Sequence, residues 1–303
     1  MMPQPLKIGF LGLGQMGAPM AERLLGPDIL LHVHDPRPEA MASFVARGAL
    51  PFASPKALAD EVEIIFACLP SAEISEAAAF GADGIIHGKA VRIHAEMSTI
   101  GTNTVQRIFK QLEDRNIGFV DTPISGGPPG ARAGTLAMMA AGKAALVDEI
   151  EPLLLKIGRK VFRLGEEIGT GQLMKLVNNM LVAANMVTAF EAFSLGAKGG
   201  LDADMMVDVV NAGTGRSYVS EQVMQCILSR RFGYGATIDV LDKDVSLGLE
   251  EAKRLNVPMW GLEQTSRLWR FAASQGAGSR DMSELATFME AWAGAEICGR
   301  AAK

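Results

Sequence analysis

Short apolar runs alternate with helical stretches through the first half of the chain. Lys7-Ile8-Gly9-Phe10-Leu11 reads as a buried strand, and Ala18 to Leu25 reads as a helix. Pro19 is tolerable only in a first turn, which places that helix's start near Met16. Ile29 to His34 is a second strand, and Pro38 to Arg47 a helix closed by Gly48. Ser54-Pro55 opens a short helix, with serine as cap and proline behind it. Val62 to Ala67, Val91 to Ala95, Gly118 to Val120, Leu136 to Ala141 and Lys160 to Leu164 read as further strands. Helices fall between them, including Thr102 to Arg115 and a segment from Lys143 to Lys156 that Pro152 bends. Repeated strand–helix units predict a parallel sheet with helices on both faces.

The pattern then changes. Gly169 to Gly200 contains no proline and is rich in Ala, Leu and Met, all strong helix formers. It predicts one helix over about 169–199, with Thr170 capping its start and Gly199-Gly200 ending it. At about 1.5 Å per residue, some 28 residues give a rod of about 42 Å, long enough to join two domains. Its apolar residues face every direction, as in a buried helix. Lys175, Asn178, Asn179, Asn185 and Glu191 interrupt the run too often for a membrane span. Beyond Gly200 the strand signal fades. Asp202 to Asn211, Ser217 to Leu228, Leu241 to Leu255, Met259 to Ser274 and Ser283 to Cys298 all read as helices. The predicted organisation is an α/β domain over 1–166 and an all-α domain over 167–303, joined by the long interdomain helix.

Composition narrows the class. The 303 residues are 49% hydrophobic and 21% charged, with a net charge of −5, which fits a protein with a substantial core. No basic block invites nucleic acid. Cys68, Cys226 and Cys298 are scattered and odd in number, so neither a disulfide framework nor a zinc spacing arises, and a cytoplasmic location is expected. Met1 to Lys7 runs directly into a strand pattern, with no signal peptide or anchor evident.

Candidate chemistry lies where strands end. Gly12-Leu13-Gly14-Gln15-Met16-Gly17 follows the first strand and opens a helix, and Asp35 ends the second strand 18 residues past Gly17. That is the dinucleotide fingerprint of a Rossmann fold in its required setting. The glycines let the backbone turn tightly and approach a pyrophosphate. Asp35 suits the two ribose hydroxyls of NAD, while Arg37 could receive the 2′-phosphate of NADP; NAD is the expected preference. Leu69-Pro70, Ser98-Thr99 and Ser125-Gly126-Gly127 sit at other strand ends, where ligands of such sheets bind. The stretch from Ser125 to Leu136 reads as a long loop. Its Ser-Gly-Gly start is either an anion-holding concavity or an ordinary turn. Lys175 and Asn179 share a helix face, with Asn178 beside them. They are either a polar knot that fixes packing or a catalytic lysine with its orienting amide.

Together, Gly9 to Gly17, Asp121-Thr122-Pro123-Ile124-Ser125-Gly126-Gly127, Gly134-Thr135-Leu136, Gly171-Gln172 to Asn179, and Lys243-Asp244 resemble the β-hydroxyacid dehydrogenases over almost the whole chain. The resemblance implies an N-terminal Rossmann domain, a helical C-terminal domain, and homodimers or homotetramers. It implies hydride transfer between NAD or NADP and a small carboxylate-bearing 3-hydroxy acid or its semialdehyde, with no metal. Lys175 matches the catalytic acid/base and Asn179 the amide that orients substrate. Ser125, Gly126 and Gly127 match the carboxylate-gripping loop. Thr99 matches a residue at nicotinamide and substrate, and Lys243 one that reaches the cofactor. Gly12, Leu13, Gly14, Gln15, Met16, Asp35, Leu69 and Pro70 complete the expected cofactor set. Two positions depart from the pattern: Glu96, where members usually carry aspartate, and Ala236, where an aromatic is common. An imine reductase, or a non-catalytic nucleotide-binding module, is the alternative on the same fold. Lys175 argues against the first, and its company with Asn179 and the Ser-Gly-Gly loop against the second. Tyr218, Phe232 and Trp260 are candidate readers of the substrate's substituent, although core packing is the simpler role for each.

Overall fold

The computed structural model describes residues 5–302. The reading of Met1 to Gln4 as free of a signal therefore lies outside the described residues. The chain forms two compact units, Met1–Lys175 and Leu176–Lys303.

The first unit opens with β1 (Leu6–Leu11), α1 (Gly17–Glu22), β2 (Ile29–His34), α2 (Pro38–Val45), β3 (Leu50–Pro51), α3 (Pro55–Ala59), β4 (Ile64–Ala67) and α4 (Ala72–Phe80). It continues with β5 (Ile93–Glu96), α5 (Thr102–Glu113) and β6 (Gly118–Asp121). These strands make a six-stranded sheet in the order β3-β2-β1-β4-β5-β6, parallel throughout. That is the doubly wound order with its switch point between β1 and β4. Alternation along the strands fills both faces. Ile8, Phe10, Ile64 and Phe66 enter one core, while Leu11, Ile65 and Ala67 enter the other. Burial on both faces is why these strands read as continuous apolar runs. β3 escaped the sequence reading because two residues carry no periodicity.

A second sheet, of three strands, follows: β7 (Ile124–Ser125), β8 (Leu136–Ala140) and β9 (Gly158–Arg163), with β7 antiparallel and β9 parallel to β8. Between β7 and β8 lies α6 (Gly127–Ala133), where the sequence predicted a long loop. Glycine and proline read there as breakers, yet each stands where a helix tolerates it. Gly126 precedes the first turn, Pro128 lies within that turn, and Gly134 closes the helix in the left-handed conformation at φ 68°. α7 (Ala144–Ile157) then packs beside β9.

The long helix is α8 (Thr170–Lys198), 29 residues in one piece. Thr170 does not cap it as expected. It is the first helical residue, and its hydroxyl donates to the Glu167 carbonyl at 2.8 Å. The N–H groups of Gly169 and Gln172 instead donate to the buried Asp121 carboxylate, each at 3.1 Å. This tie joins the start of α8 to the first unit; the compact units divide at Lys175/Leu176, inside the helix, while the sequence reading divides the chain at 166/167, ahead of it.

The second unit holds α9 (Ala203–Ala212), α10 (Met224–Leu228), α11 (Ile238–Arg254), α12 (Trp260–Ala272) and α13 (Leu285–Ala293). α10 is preceded by a wide turn over Val219–Val223. Gly294, at φ 62°, stops α13 short of the predicted Cys298. α8 is long and apolar enough to cross a membrane by length and composition. Within the second unit, its Ala183, Met186, Val187, Phe190 and Phe193 belong to the hydrophobic core. Trp269, fully buried, adds an indole N–H bond to the Ala183 carbonyl at 3.3 Å. Trp260, by contrast, is 83% exposed, so it does not pack the core as expected. Tyr218 bonds hydroxyl to hydroxyl with Tyr234 at 2.9 Å, and the Phe232 ring lies under the Arg230 guanidinium.

Candidate active site

The three fingerprint glycines do three different jobs. Gly12 has φ +87°, and a Cβ there would stand 2.3 Å from the Cys68 carbonyl oxygen. Gly17 touches the turn so closely that a Cβ would meet the Gly12 oxygen at 1.9 Å. Gly14 has nothing within 4 Å of where its Cβ would be. The first two close the strand–turn–helix, and the third leaves bare backbone facing open space, as the approach of a pyrophosphate requires. Leu13, Gln15 and Met16 complete this turn. The residues present therefore fit a dinucleotide.

Asp35 is brought to the same turn, but its carboxylate is fully engaged. Oδ1 accepts from the Arg37 backbone N–H at 3.0 Å and from Arg37 Nε at 2.9 Å. Oδ2 accepts from the Leu13 N–H at 2.8 Å and from an Arg37 terminal nitrogen at 3.0 Å. Burial pushes the Asp35 carboxyl up. Arg37 and the Leu13 N–H outweigh that and hold it below the usual carboxylate range. Because a carboxylate offers about four lone-pair positions, Asp35 has none left for a ribose unless Arg37 moves.

Next to this turn lie the carboxyl ends of β4, β5 and β6. The Leu69 N–H donates to Ser98 Oγ at 2.7 Å, and the Ser98 N–H donates to Glu96 Oε1 at 3.0 Å. Glu96 is buried, with its other oxygen 3.5 Å from His94 Nε2. The longer acid at this departure from the family pattern thus accepts from the serine loop with one oxygen and faces a buried histidine, without a hydrogen bond to it, with the other. Thr99 is half-buried in the same loop, beside Ser98. Pro70 follows Leu69 at the half-buried to exposed rim. Ser125, Gly126 and Gly127 are half-buried where β7 passes into α6, and both glycines have positive φ, +131° and +62°.

Lys175 stands in the second turn of α8, half-buried. It is near enough to Cys68, at the end of β4, for its ammonium to act on that thiol. Burial pushes the thiol up to about 12, Glu96 pushes it the same way, and Lys175 pulls against both. Cys68 therefore stays protonated near neutrality and is no nucleophile. Its effect on Cys68 puts the lysine near the carboxyl end of β4, whose following residue Leu69 is tied to Ser98.

In the second unit, Asn179 and Lys243 converge on a residue that the sequence reading did not single out as part of the site. Asn179 Nδ2 donates to Asp244 Oδ2 at 2.6 Å, and Lys243 Nζ lies 2.8 Å from Asp244 Oδ1. Asn178 Nδ2 donates to Asn179 Oδ1 at 3.1 Å, so the Asn179 amide is fixed at both ends. Asp244 is buried, and its place in the Lys-Asp pair was the only signal for it. Ala236 is half-buried against the second core.

Asp121 is the buried acid that holds the start of α8. Burial pushes its carboxyl up to about 7, against the pull of Gln172 and Gly169 and with a further push from Glu96. A carboxyl that keeps its proton longer in the folded than in the unfolded chain makes stability fall as pH rises, from about 4, the unfolded value, to about 7. Asp121→Asn removes that titration and turns an amide N–H₂ toward donors. The variant should be less stable by about 1–3 kcal/mol. In urea unfolding, its deficit against the native chain should shrink as pH rises from 5 to about 8. A deficit that does not vary with pH would show that Asp121 does not titrate in this window.

Comparison with known proteins agrees with this fold. Residues 7–165 match the NAD-binding domain of 6-phosphogluconate dehydrogenase, and residues 169–289 match the NAD-binding model of NADP-dependent 3-hydroxyisobutyrate dehydrogenase. The chain is 34% identical to 2-(hydroxymethyl)glutarate dehydrogenase of Eubacterium barkeri, covering 98% of this chain and 99% of the relative. It is 32% identical to an NAD-dependent L-serine dehydrogenase of Pseudomonas aeruginosa, covering 91% and 95%. Among solved structures, 3-hydroxyisobutyrate dehydrogenase from Salmonella typhimurium superposes with a TM-score of 0.85 at 28% identity, covering 93% of this chain and 99% of that one. With the doubly wound sheet, the glycine turn and the strand-end loops in place, the chain belongs to the β-hydroxyacid dehydrogenase family and is an oxidoreductase that acts on the CH–OH group of small hydroxy acids with NAD or NADP.

Proposed function

We propose that the substrate is a small 3-hydroxy acid or its semialdehyde and that Lys175 is the general acid/base. When bound, the nicotinamide supplies the hydride acceptor in oxidation and the hydride donor in reduction. As hydride leaves carbon, the hydroxyl must lose its proton, and Lys175 takes it; in reduction Lys175 returns it to the carbonyl oxygen. The Ser125 hydroxyl and the N–H groups of Gly126 and Gly127 hold the substrate carboxylate, which fixes the reacting carbon and converts encounter into orientation. Thr99 serves the nicotinamide end. Asn179 is assigned to orient the substrate and Lys243 to the cofactor, with Asp244 holding both side chains in place. The observation that carries this reading is the placement of Lys175. It is half-buried, acts electrostatically on Cys68 at the end of β4, and sits on a helix anchored to the end of β6.

The relatives' names supply the substrate class: 2-(hydroxymethyl)glutarate and L-serine each carry a hydroxymethyl group one carbon from a carboxylate. We further propose a cytoplasmic homodimer or homotetramer without membrane or nucleic-acid partners. Exposed Leu195, Leu201, Met205 and Val209 on α8, α9 and their connection support the self-association. The experiment is a spectrophotometric panel of 3-hydroxy acids and semialdehydes, run with NAD(H) and NADP(H) in parallel and with a cyclic imine as contrast. Turnover of the imine alone would overturn the reading. Light scattering at the monomer mass would overturn the assembly.

A further inference from the structure

One fully buried amide ties α8 to the loop after β5 and to the end of β6. Gln172 is 0% exposed and precedes Lys175 by three residues in α8. Its Oε1 accepts from the Ile100 N–H at 2.9 Å and the Gly101 N–H at 3.1 Å. Its Nε2 donates to the Ser98 carbonyl at 3.0 Å and to Asp121 Oδ1 at 2.9 Å. A carboxamide has two acceptor positions and two donor hydrogens, so every one is used. The main-chain N–H of Gln172 adds a bond to the other Asp121 oxygen at 3.1 Å. The partners lie 51 to 74 residues away in sequence, so local helix formation needs none of these bonds.

The pattern of partners matters more than their number. Ser98 and Ile100 flank Thr99, and Gln172 holds one by its carbonyl and the other by its N–H. The same side chain therefore fixes the loop that carries Thr99 and the helix turn that carries Lys175. Ser98 passes the tie onward to Leu69 through its hydroxyl and to Glu96 through its N–H. The neighbouring residue is built for the same close approach. A Cβ at Gly171 would stand 2.7 Å from the Met139 oxygen and 2.8 Å from an Asp121 oxygen. About 4.5 Å of helix separates Gln172 from Lys175, so a tilt of the first turn is passed directly to the lysine.

We propose that Gln172 is the positioning residue of the reaction, setting Lys175 and Thr99 in register through the loop after β5 and the end of β6. This rests on the reading of Lys175 as the acid/base. A misplacement of about 1 Å is enough to cost about a hundredfold in rate.

The test compares Gln172→Ala, Gln172→Glu and Lys175→Ala in the reductive direction, following kcat, KM, NAD(P)H affinity by fluorescence, and the pH–rate profile. Gln172→Ala should lower kcat about a hundredfold while NAD(P)H affinity stays within about threefold, because the glycine turn is untouched. Gln172→Glu keeps the shape. Ionised, it faces the Ser98 carbonyl and the Asp121 carboxylate; protonated, it regains one donor. Glu96 is paired with Asp121 across the strands, His94 lies beyond Glu96, and Lys175 stands one turn along. With these acids adjacent, kcat of Gln172→Glu should recover as pH falls, beyond any change in the native enzyme. Wild-type kcat in Gln172→Ala, beside an inactive Lys175→Ala, overturns the inference and leaves the acid/base reading standing. Turnover retained in Lys175→Ala overturns that reading itself. Should Gln172→Ala fail to fold, a pH profile of Gln172→Glu that parallels the native one overturns the inference.

Discussion

Lys175→Ala lowers kcat by about two to four orders of magnitude while NAD(P)H still binds, the span that a positioned proton donor contributes. The two quantities separate because the residues that would hold the nucleotide lie elsewhere. The glycine turn after β1 and the Asp35–Arg37 pair do not involve the helix on which Lys175 stands. Lys175→Arg keeps the charge but replaces a compact ammonium with a planar group that does not give up its proton near neutrality, so it should be nearly as impaired. Single-turnover kinetics with preformed enzyme–NAD(P)H complex measure the step directly. Turnover within tenfold of the native rate would assign Lys175 to packing alone.

Arg37→Ala should move the cofactor preference by the largest factor available to a single change outside the reacting groups. In the structure, Arg37 closes both oxygens of Asp35 from outside, and its own side chain is 55% exposed. A 2′-phosphate can draw that guanidinium away and leave Asp35 with the N–H groups of Leu13 and Arg37. A ribose with two free hydroxyls must instead displace it without offering a charge in return. Removing the guanidinium therefore weakens NADPH by about 10- to 100-fold, the worth of a hydrogen bond to a charged group. It also frees two acceptor positions for NADH, which should bind severalfold more tightly. Fluorescence titration with both nucleotides reads the ratio, and raising salt should erode NADPH binding more than NADH binding. An unchanged ratio would leave Asp35 as the selector, as the sequence alone suggested.

The glycine turn was legible because its causes are local. Strand, turn, helix and acid lie within 29 residues, and Gly17 answers to Gly12 inside the turn, although the atom that excludes a side chain at Gly12 comes from Cys68. The alternation of strands and helices was legible for the same reason, and so was α8. What escaped the sequence was whatever depends on distant partners. The cap of α8 was assigned to Thr170 by adjacency, but the acceptor is Asp121, 48 residues from Gly169. Gln172 was visible only as a letter in a motif, since its partners come from two other strand ends. Spacing puts Asp35 at the ribose, and its carboxylate does bond the turn at Leu13, yet its occupation by Arg37 depends on side-chain reach that spacing does not reveal. α6 was lost because its composition argues for a loop, and only the order of its glycines and prolines argues for a helix. Residue type alone argues for Trp260 inside, although it begins α12 and faces outward.

That short helix carries a further meaning. Pro128 and Pro129 follow directly on Gly127, so the main chain there has no N–H to offer until Gly130, whose own already donates to the Gly126 carbonyl at 3.1 Å. Donation from this corner of the backbone is thereby confined to the paired glycines. The pyrrolidine rings also stiffen the segment behind them, so a carboxylate held there, as proposed, would meet a shape that exists before it comes and would cost little chain freedom.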